Sequence, residues 1–177
     1  MNYYSKILCL IALTLLPLPM SAQAAEERLI SESQAKAAFV FNVVRYVNWP
    51  PPGNDTVLIG ILGKGPLSRE WQSISGKTLS NRKLRIIKSN YVDEMLDCQL
   101  IVIEEAGPQK LPRILRILRD YPILTIGDSP VFLSSGGSLN ISLRNNRISF
   151  SVNLAQTRAV GLNISSNLLK LAAEVIK

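Results

Sequence analysis

Runs of apolar residues alternate with amphipathic segments through the middle of this chain. Four of the runs are short and rich in Ile, Leu and Val, which is typical of strands buried inside a sheet. They predict strands at residues 57–62, 84–88, 99–104 and 123–126, with helices or helical turns between them at residues 67–74, 91–96 and 111–120. Because strands that alternate with helices are joined by right-handed crossovers, the sheet should be mainly parallel.

The pattern changes after residue 138. Residues 139–143 and 148–152 are apolar at every second position, and Asn145 and Asn146 between them are typical of a two-residue turn. Residues 155–176 have apolar positions at helical spacing along two stripes, which predicts one C-terminal helix, called the closing helix below. The predicted fold is a three-layer α/β domain whose mainly parallel central sheet is flanked by helices, with an antiparallel C-terminal hairpin at one edge.

The segment before the first strand predicts a helix at residues 35–47. Ser31 and Gln34 have the spacing of a capping box, and Pro50 must stop the helix. On a helical wheel, Phe41 falls roughly opposite the centre of the apolar stripe, between Arg45 and Asn48. The stripe consists of Phe39, Val40, Val43, Tyr46 and Val47.

This arrangement suggests a contact with another protein. An aromatic residue beside an arginine is typical of an interface anchor, so we predict partner binding at Phe41, Arg45 and Asn48. The alternative is that a neighbouring element, such as the C-terminal helix, covers Phe41.

The first 24 residues have the pattern of an export signal. Lys6 supplies a positive charge, residues 7–16 form a short apolar core, and Ala22, Gln23 and Ala24 form a small-x-small cleavage site. The apolar core is roughly half as long as a membrane span requires. We therefore predict a cleaved signal peptide at residues 1–24, a single domain at residues 25–177, and a periplasmic protein that is not inserted in a membrane.

Composition narrows the classes of function. The chain contains no histidine, which removes Ser/His and Cys/His nucleophilic machinery and the commonest zinc ligand. We therefore predict no catalytic residue, no metal site and no cofactor. The formal net charge of +7 suits an acidic protein, an anionic membrane surface or plain solubility. Nucleic acid is not expected as a partner outside the cytoplasm.

Cys98 is the one cysteine that remains after cleavage of the predicted signal. An internal disulfide is then excluded. Its position just before the predicted strand at residues 99–104 favours a buried, inert thiol over a reactive one.

Two loops carry candidate binding residues. Gly63 and Lys64 lie between a strand and a helix, where open parallel sheets bind phosphates, and Asp128 follows another strand at the same edge. These three residues form a candidate small-ligand crevice, although no phosphate-binding motif is complete and a plain turn also explains the glycines. Ser135 and Gly136 belong to a glycine-rich loop that contacts a partner or simply forms a turn.

Two sets of charged residues are explained without a binding site. The acids Glu104, Glu105 and Asp128 lack the fixed spacing of a cation site, so we interpret them as residues that end strands. Four basic residues share the outer side of the predicted helix at residues 111–120, where charges are usually solvated: Lys110, Arg113, Arg116 and Arg119.

Three blocks of sequence follow one another at a specific spacing. They are residues 37–50 (AAFVFNVVRYVNWP), residues 124–129 (LTIGDS) with Gly136 and Gly137, and residues 148–153 (ISFSVN) running into residues 159–172 (AVGLNISSNLLKLA). Together they resemble the YfiR family of periplasmic proteins, over nearly all of the chain after the signal. The resemblance implies a small α/β domain that binds the periplasmic part of an inner-membrane diguanylate cyclase and holds it inactive. It also implies that an outer-membrane lipoprotein relieves the inhibition.

The chain departs from this family in its cysteines. Characterised relatives carry paired cysteines that link redox state to stability, whereas Cys98 has no partner here. A redox switch of that kind is therefore not expected.

The expected function is that of a non-enzymatic periplasmic regulator, which controls cyclic-di-GMP output and biofilm formation through a membrane cyclase. The alternative is a periplasmic small-ligand-binding sensory module that uses the crevice at Gly63, Lys64 and Asp128. The sequence leaves open whether the protein forms a homodimer.

Overall fold

The computed structural model describes residues 20–50, 55–64, 68–104, 106–107, 109–144 and 147–177. Most of the predicted signal peptide lies outside these residues, as do Glu105 and the predicted turn at Asn145 and Asn146. Residues 20–24 belong to the first turns of helix α1 (Met20–Val43). None of the helices in the described part combines the length and apolarity that crossing a membrane requires.

The elements after α1 follow one another in short steps. In the first half they are a 3-10 turn (Val44–Tyr46), β1 (Val47–Asn48), β2 (Thr56–Leu62), α2 (Arg69–Ile74), β3 (Thr78–Leu79), β4 (Arg82–Ser89), a second 3-10 turn (Val92–Met95) and β5 (Leu100–Ile103). In the second half they are α3 (Leu111–Leu118), β6 (Leu124–Gly127), β7 (Leu139–Arg144), β8 (Arg147–Asn153), α4 (Leu154–Ala159), β9 (Asn163–Ile164), α5 (Ser166–Leu169) and β10 (Glu174–Ile176).

The described residues form an eight-stranded sheet in the order β10-β8-β7-β6-β5-β2-β4-β3. The pairs β2–β4, β2–β5, β5–β6 and β6–β7 are parallel, which confirms the mainly parallel sheet. The antiparallel hairpin of β7 and β8 is also confirmed, and one short parallel strand, β10, lies outside it.

Helices cover both faces of the sheet, and the side chains of the interior strand β2 alternate between the two faces. Val57, Ile59 and Ile61 of β2 belong to one hydrophobic core, which also contains residues of α1 and α2. Leu62 belongs to a second core, built with α3 and the 3-10 turn at Val92–Met95. We call these the α1 face and the α3 face of the sheet.

The prediction of one closing helix at residues 155–176 is wrong. Helix α4 ends before Gly161, which adopts a φ of 77°. Ser165 then caps the short helix α5, since its side chain accepts a hydrogen bond from the backbone N–H of Asn167. Three apolar positions of this segment are buried, Leu162, Ile164 and Leu168, whereas Leu171 and Ile176 are exposed. Ile164 and Leu168 have the i, i+4 spacing of a helix, but the left-handed glycine and the internal cap break the segment into four pieces, α4, β9, α5 and β10.

Helix α1 also ends earlier than the predicted residue 47. Val47 and Asn48 form β1, which pairs in antiparallel register with Ile164 and Asn163 of β9. The backbone N–H of Ser165 donates to the carbonyl of Tyr46 at 2.8 Å. This backbone pairing with the C-terminal segment replaces the last helical turn.

Candidate functional site

A groove of about 450 Å3 lies between the first two helices. We call it the α1–α2 groove. Its lining residues are Gln34, Ala37, Ala38, Phe41 and Asn42 from α1, Arg69, Glu70, Ser73 and Ile74 from α2, and Lys77 just after α2. The floor is apolar, with Ala37 and Ile74 buried, whereas the rim carries charges.

Phe41 is half-buried in this groove rather than pointing away from the fold. The buried stripe of α1 is centred on Val40, which is fully buried. Because each helical residue turns by about 100°, Phe39 and Phe41 flank Val40 on opposite sides. The prediction that Phe41 points away from the fold is therefore wrong, whereas Phe39 packs against the core as predicted, although its ring is only half-buried.

The two rings have different neighbours. Phe39 packs on Phe150 of β8, with the ring centroids 5.1 Å apart and tilted by 51°. Phe41 faces α2, and two cations lie beside its ring: Lys77 Nζ at 5.7 Å and Arg45 Cζ at 6.0 Å from the centroid. A neighbouring element thus covers part of Phe41, but that element is α2 and not the C-terminal segment.

The residues predicted to bind a partner lie in two separate places. Arg45 is exposed beside Phe41 at the end of the α1–α2 groove, and Asn48 is exposed on β1. Ser135 and Gly136 lie instead on the α3 face, where they line a second groove with residues of α3. The sheet separates the two sets, so a single compact contact does not include both.

Gly63 and Lys64 line a pocket of about 110 Å3 at the carboxyl ends of β2 and β5, which we call the strand-end pocket. Asn90, Glu104 and Lys110 also line it. Asp128 does not belong to this lining. It lies beside α1, where its Oδ2 accepts a hydrogen bond from Lys36 Nζ at 2.7 Å.

Lys36 links α1 to the end of β6. Its Nζ lies 2.7 Å from both Asp128 Oδ2 and Glu32 Oε1. Burial by itself lowers the pKa of Lys36, but hydrogen bonds and charge from Asp128 and Glu32 outweigh it and raise the pKa above the ordinary 10.5. Lys36 is therefore a cation shared between two carboxylates.

Glu104 is likewise engaged in the fold. Its two carboxylate oxygens accept hydrogen bonds from Trp71 Nε1 at 2.9 Å and from Lys88 Nζ at 3.1 Å. Within the described residues, no group of three or more His, Cys, Asp or Glu side chains is placed to hold a metal ion. Glu104 and Asp128 thus have separate cationic partners.

Cys98 is buried with 3% of its surface exposed, as predicted. Burial, with a smaller contribution from the charge of Asp97, raises the pKa of its thiol to about 12. The thiol is therefore protonated and unreactive at neutral pH.

The α2 side of the groove was missed in the sequence, including Lys77 and Ile74. Helix α2 is only six residues long, and the polar residues on its outer side did not predict that another helix packs beside it. The pairing of α1 with α2 is a tertiary contact that no local pattern encodes.

Comparison with known proteins identifies a family for this chain. A search of the curated proteins found no match. One solved structure that resembles the chain is that of an ABC domain in complex with L-Trp from Streptococcus pneumonia, with 8% sequence identity and a TM-score of 0.49. The match covers 77% of this chain and spans 59% of the length of that one. By contrast, residues 33–173 match the family described as YfiR/HmsC-like, and the chain therefore belongs to the YfiR/HmsC-like family.

Proposed function

We propose that this protein is a periplasmic regulator that binds the periplasmic domain of an inner-membrane diguanylate cyclase and represses cyclic-di-GMP synthesis. The observation that carries the proposal is the family match over residues 33–173, which includes every residue named above as lining the α1–α2 groove. An outer-membrane lipoprotein that competes for the regulator would relieve the repression.

The α1–α2 groove is the surface that we assign to the cyclase. Its floor offers the half-buried ring of Phe41, and aromatic side chains in partly covered pockets are typical of binding hot spots. Among the described residues, its lining contains the cations Arg69 and Lys77 and the acid Glu70, and Arg45 lies beside Phe41 at the end of the groove. The complementary partner surface is an apolar side chain with acidic neighbours.

Repression sets a thermodynamic requirement for this contact. The regulator has to bind the inactive state of the cyclase more tightly than the active state, because equal affinity for both states shifts nothing. Moving a partner from mostly active to mostly inactive takes about 5 kcal/mol of differential affinity. Insertion of a partner side chain against Phe41 in one state only would supply part of that difference.

Replacement of Phe41 tests the proposal. Phe41→Ala should weaken binding of the purified cyclase domain by about thirtyfold, as measured by titration calorimetry. Phe39→Ala is a matched control, because Phe39 flanks the same buried stripe with a similar half-buried ring but packs on Phe150, away from the groove. It should bind the cyclase domain normally under conditions where both variants are folded.

Two results would contradict the proposal at different levels. Equal loss of binding in the Phe39 and Phe41 variants would remove the groove from the interface. Unchanged cyclic-di-GMP in cells that carry a folded, non-binding variant at normal abundance would contradict repression itself.

The periplasmic location has its own test. The sequence at residues 22–24 predicts a mature protein that begins at Ala25, is recovered in the periplasmic fraction and carries no lipid. N-terminal sequencing and mass spectrometry of the protein from the periplasmic fraction measure its first residue and any attached lipid. An intact Met1 would contradict the predicted cleavage.

A second candidate function, sensing of a small ligand, is supported by the position of the strand-end pocket. The chain leaves β2 through α2 on the α1 face, whereas it leaves β5 through α3 on the α3 face. Adjacent parallel strands whose connections leave on opposite faces form a crevice at their carboxyl ends, where open α/β sheets bind ligands. The pocket lies at this point, and the exposed Lys64 and Lys110 suit a small anion.

A thermal-shift screen of small anions tests this second function. A ligand of the pocket should raise the melting temperature of the protein and of Lys83→Ala, whose lysine is exposed on β4 outside the pocket. It should not raise that of Lys64→Ala. Equal shifts in both variants would exclude the strand-end pocket as the binding site.

A further inference from the structure

A second groove, of about 360 Å3, lies on the α3 face. We call it the α3–loop groove. Arg116 of α3 and Arg119 at its C-cap form one wall, Ser135 and Gly136 of the loop after β6 form the other, and Gln156 of α4 lies at one end. The structure thus joins two features that are far apart in the sequence, the basic outer side of α3 and the glycine-rich loop.

The loop wall of this groove is held in place by the core. Phe132 is buried below the loop with 1% of its surface exposed. The backbone N–H groups of Ser135, Gly136 and Gly137 donate to the carbonyls of Val131, Leu133 and Phe132 at 2.9 to 3.1 Å. A wall that is already ordered loses little entropy when a ligand binds.

The other wall is cationic. Arg116 lies in the last turn of α3, and Arg119 caps the helix three residues later with helical backbone angles, so the two side chains lie at neighbouring positions. Among the described residues, the one ion pair of these two arginines joins Arg119 Nε to Asp120 Oδ1 at 3.7 Å, with both side chains more than half exposed. Such an exposed pair is weak, which leaves the groove positively charged.

The donors of the groove point to the class of ligand. The Oγ of Ser134 already donates to the carbonyl of Val131, but within the described part of the chain the Ser135 hydroxyl and the Gln156 side-chain amide have no hydrogen-bond partner. Two guanidinium forks, one hydroxyl and one amide match a group that has several acceptor oxygens in different directions. A phosphate has that form, whereas a carboxylate offers only two oxygens.

We propose that the α3–loop groove is a binding site for a phosphate ester, with Arg116 and Arg119 as the residues that hold the phosphate. A groove of about 360 Å3 has room for the esterified group beside the phosphate, next to Pro112 and the buried Leu115. The ester is either a soluble metabolite or the headgroup of an anionic lipid, because both present the same chemistry. The site lies across the sheet from the α1–α2 groove and does not depend on the proposed function.

The test uses the purified protein with two probes, soluble glycerol 3-phosphate and vesicles of phosphatidylglycerol, with phosphatidylcholine vesicles as the neutral reference. Binding of at least one anionic probe is expected, and added salt should weaken it. Arg116→Ala and Arg119→Ala should each lower the affinity about tenfold, since each removes charged hydrogen bonds. Arg113→Ala is the matched control, because Arg113 is an exposed arginine of the same helix outside the groove, and it should change the affinity less than about twofold.

Every outcome decides the proposal. Groove-dependent binding of glycerol 3-phosphate supports a soluble ester, and groove-dependent binding of the vesicles alone supports a lipid headgroup. If Arg113→Ala weakens binding as much as Arg116→Ala does, the attraction is general surface charge and the proposal is wrong. Failure of both probes to bind at millimolar concentration overturns it as well.

Discussion

The ring of Phe132 lies so close to Gly137 that a β-carbon at this position would overlap the Cδ1 and Cε1 atoms of the ring. Gly127 is in the same situation on the other edge of the ring, where a β-carbon would overlap Cδ2 and Cε2. Phe132 thus occupies space that only two glycines leave free. The glycine-rich loop is shaped by this contact, and it also forms one wall of the α3–loop groove.

Gly137→Ala should therefore destabilise the protein by about 3 kcal/mol, because the buried ring cannot move aside in a packed core. The free energy of unfolding in urea measures the effect. Gly107→Ala is the control, since in the described part of the chain no atom beyond its sequence neighbours lies within 4 Å of a β-carbon there, and it should change stability by less than about 0.5 kcal/mol. Combining Gly137→Ala with Phe132→Leu should cost less than the sum of the two changes, and strict additivity would contradict the predicted overlap.

Cys98 should react with a thiol reagent only when the protein unfolds. At neutral pH the buried thiol, whose pKa is raised to about 12, holds almost no thiolate. The rate of modification at neutral pH, compared with that of the denatured protein, measures this protection. Rapid labelling of the folded protein would show that Cys98 is accessible.

Reductant provides a second check on Cys98. The melting temperature should be the same with and without it, because Cys98 is a free cysteine with no bridge to break. A fall of several degrees would contradict this assignment. Cys98→Ala should cost about 1 kcal/mol in packing, since the site is buried and the thiol is small.

The strands were predictable from the sequence because a sheet with helices on both faces needs nearly continuous apolar runs. Residues of β2 and β5 are buried on both faces, and composition alone marks them. The C-terminal segment was not predictable in the same way. The buried Ile164 and Leu168 fit a helical period, but the structure of the segment depends on the left-handed Gly161 and on the pairing of β1 with β9.

The candidate sites were likewise predictable only as far as a single helix or loop determines them. A helical wheel correctly placed Phe41 beside Arg45, but the wheel covers one helix and could not show α2 packing next to it. The separation of Ser135 from Phe41 follows from the faces on which α1 and α3 cross the sheet. That choice depends on the order of the strands, which no local pattern determines.

The contact between Phe39 and Phe150 should couple α1 to the hairpin. Phe39→Ala should lower the free energy of unfolding by about 2 kcal/mol, which is less than a fully buried phenylalanine costs, because the ring is half-buried. A double-mutant cycle with Phe150→Leu should give a coupling of about 1 kcal/mol for the tilted ring pair. A coupling near zero would show that the two rings do not interact.

Lys36 should make stability decrease at alkaline pH. Its pKa is raised in the folded protein, so between the ordinary 10.5 and the higher folded value the unfolded chain binds fewer protons than the folded one. The contribution of Lys36 to stability is therefore complete below about pH 10 and is lost as the pH rises through the folded pKa.

Unfolding in urea should be measured as a function of pH in a Cys98→Ala background, because the raised pKa of the Cys98 thiol also lowers stability as the pH rises above the ordinary thiol pKa of 9.0. Lys36→Met in the same background should be less stable at neutral pH, where Asp128 and Glu32 lose the cation they share, and should show a smaller decline above pH 10. Identical alkaline slopes with and without Lys36 would show that the contact with Asp128 does not contribute to folding.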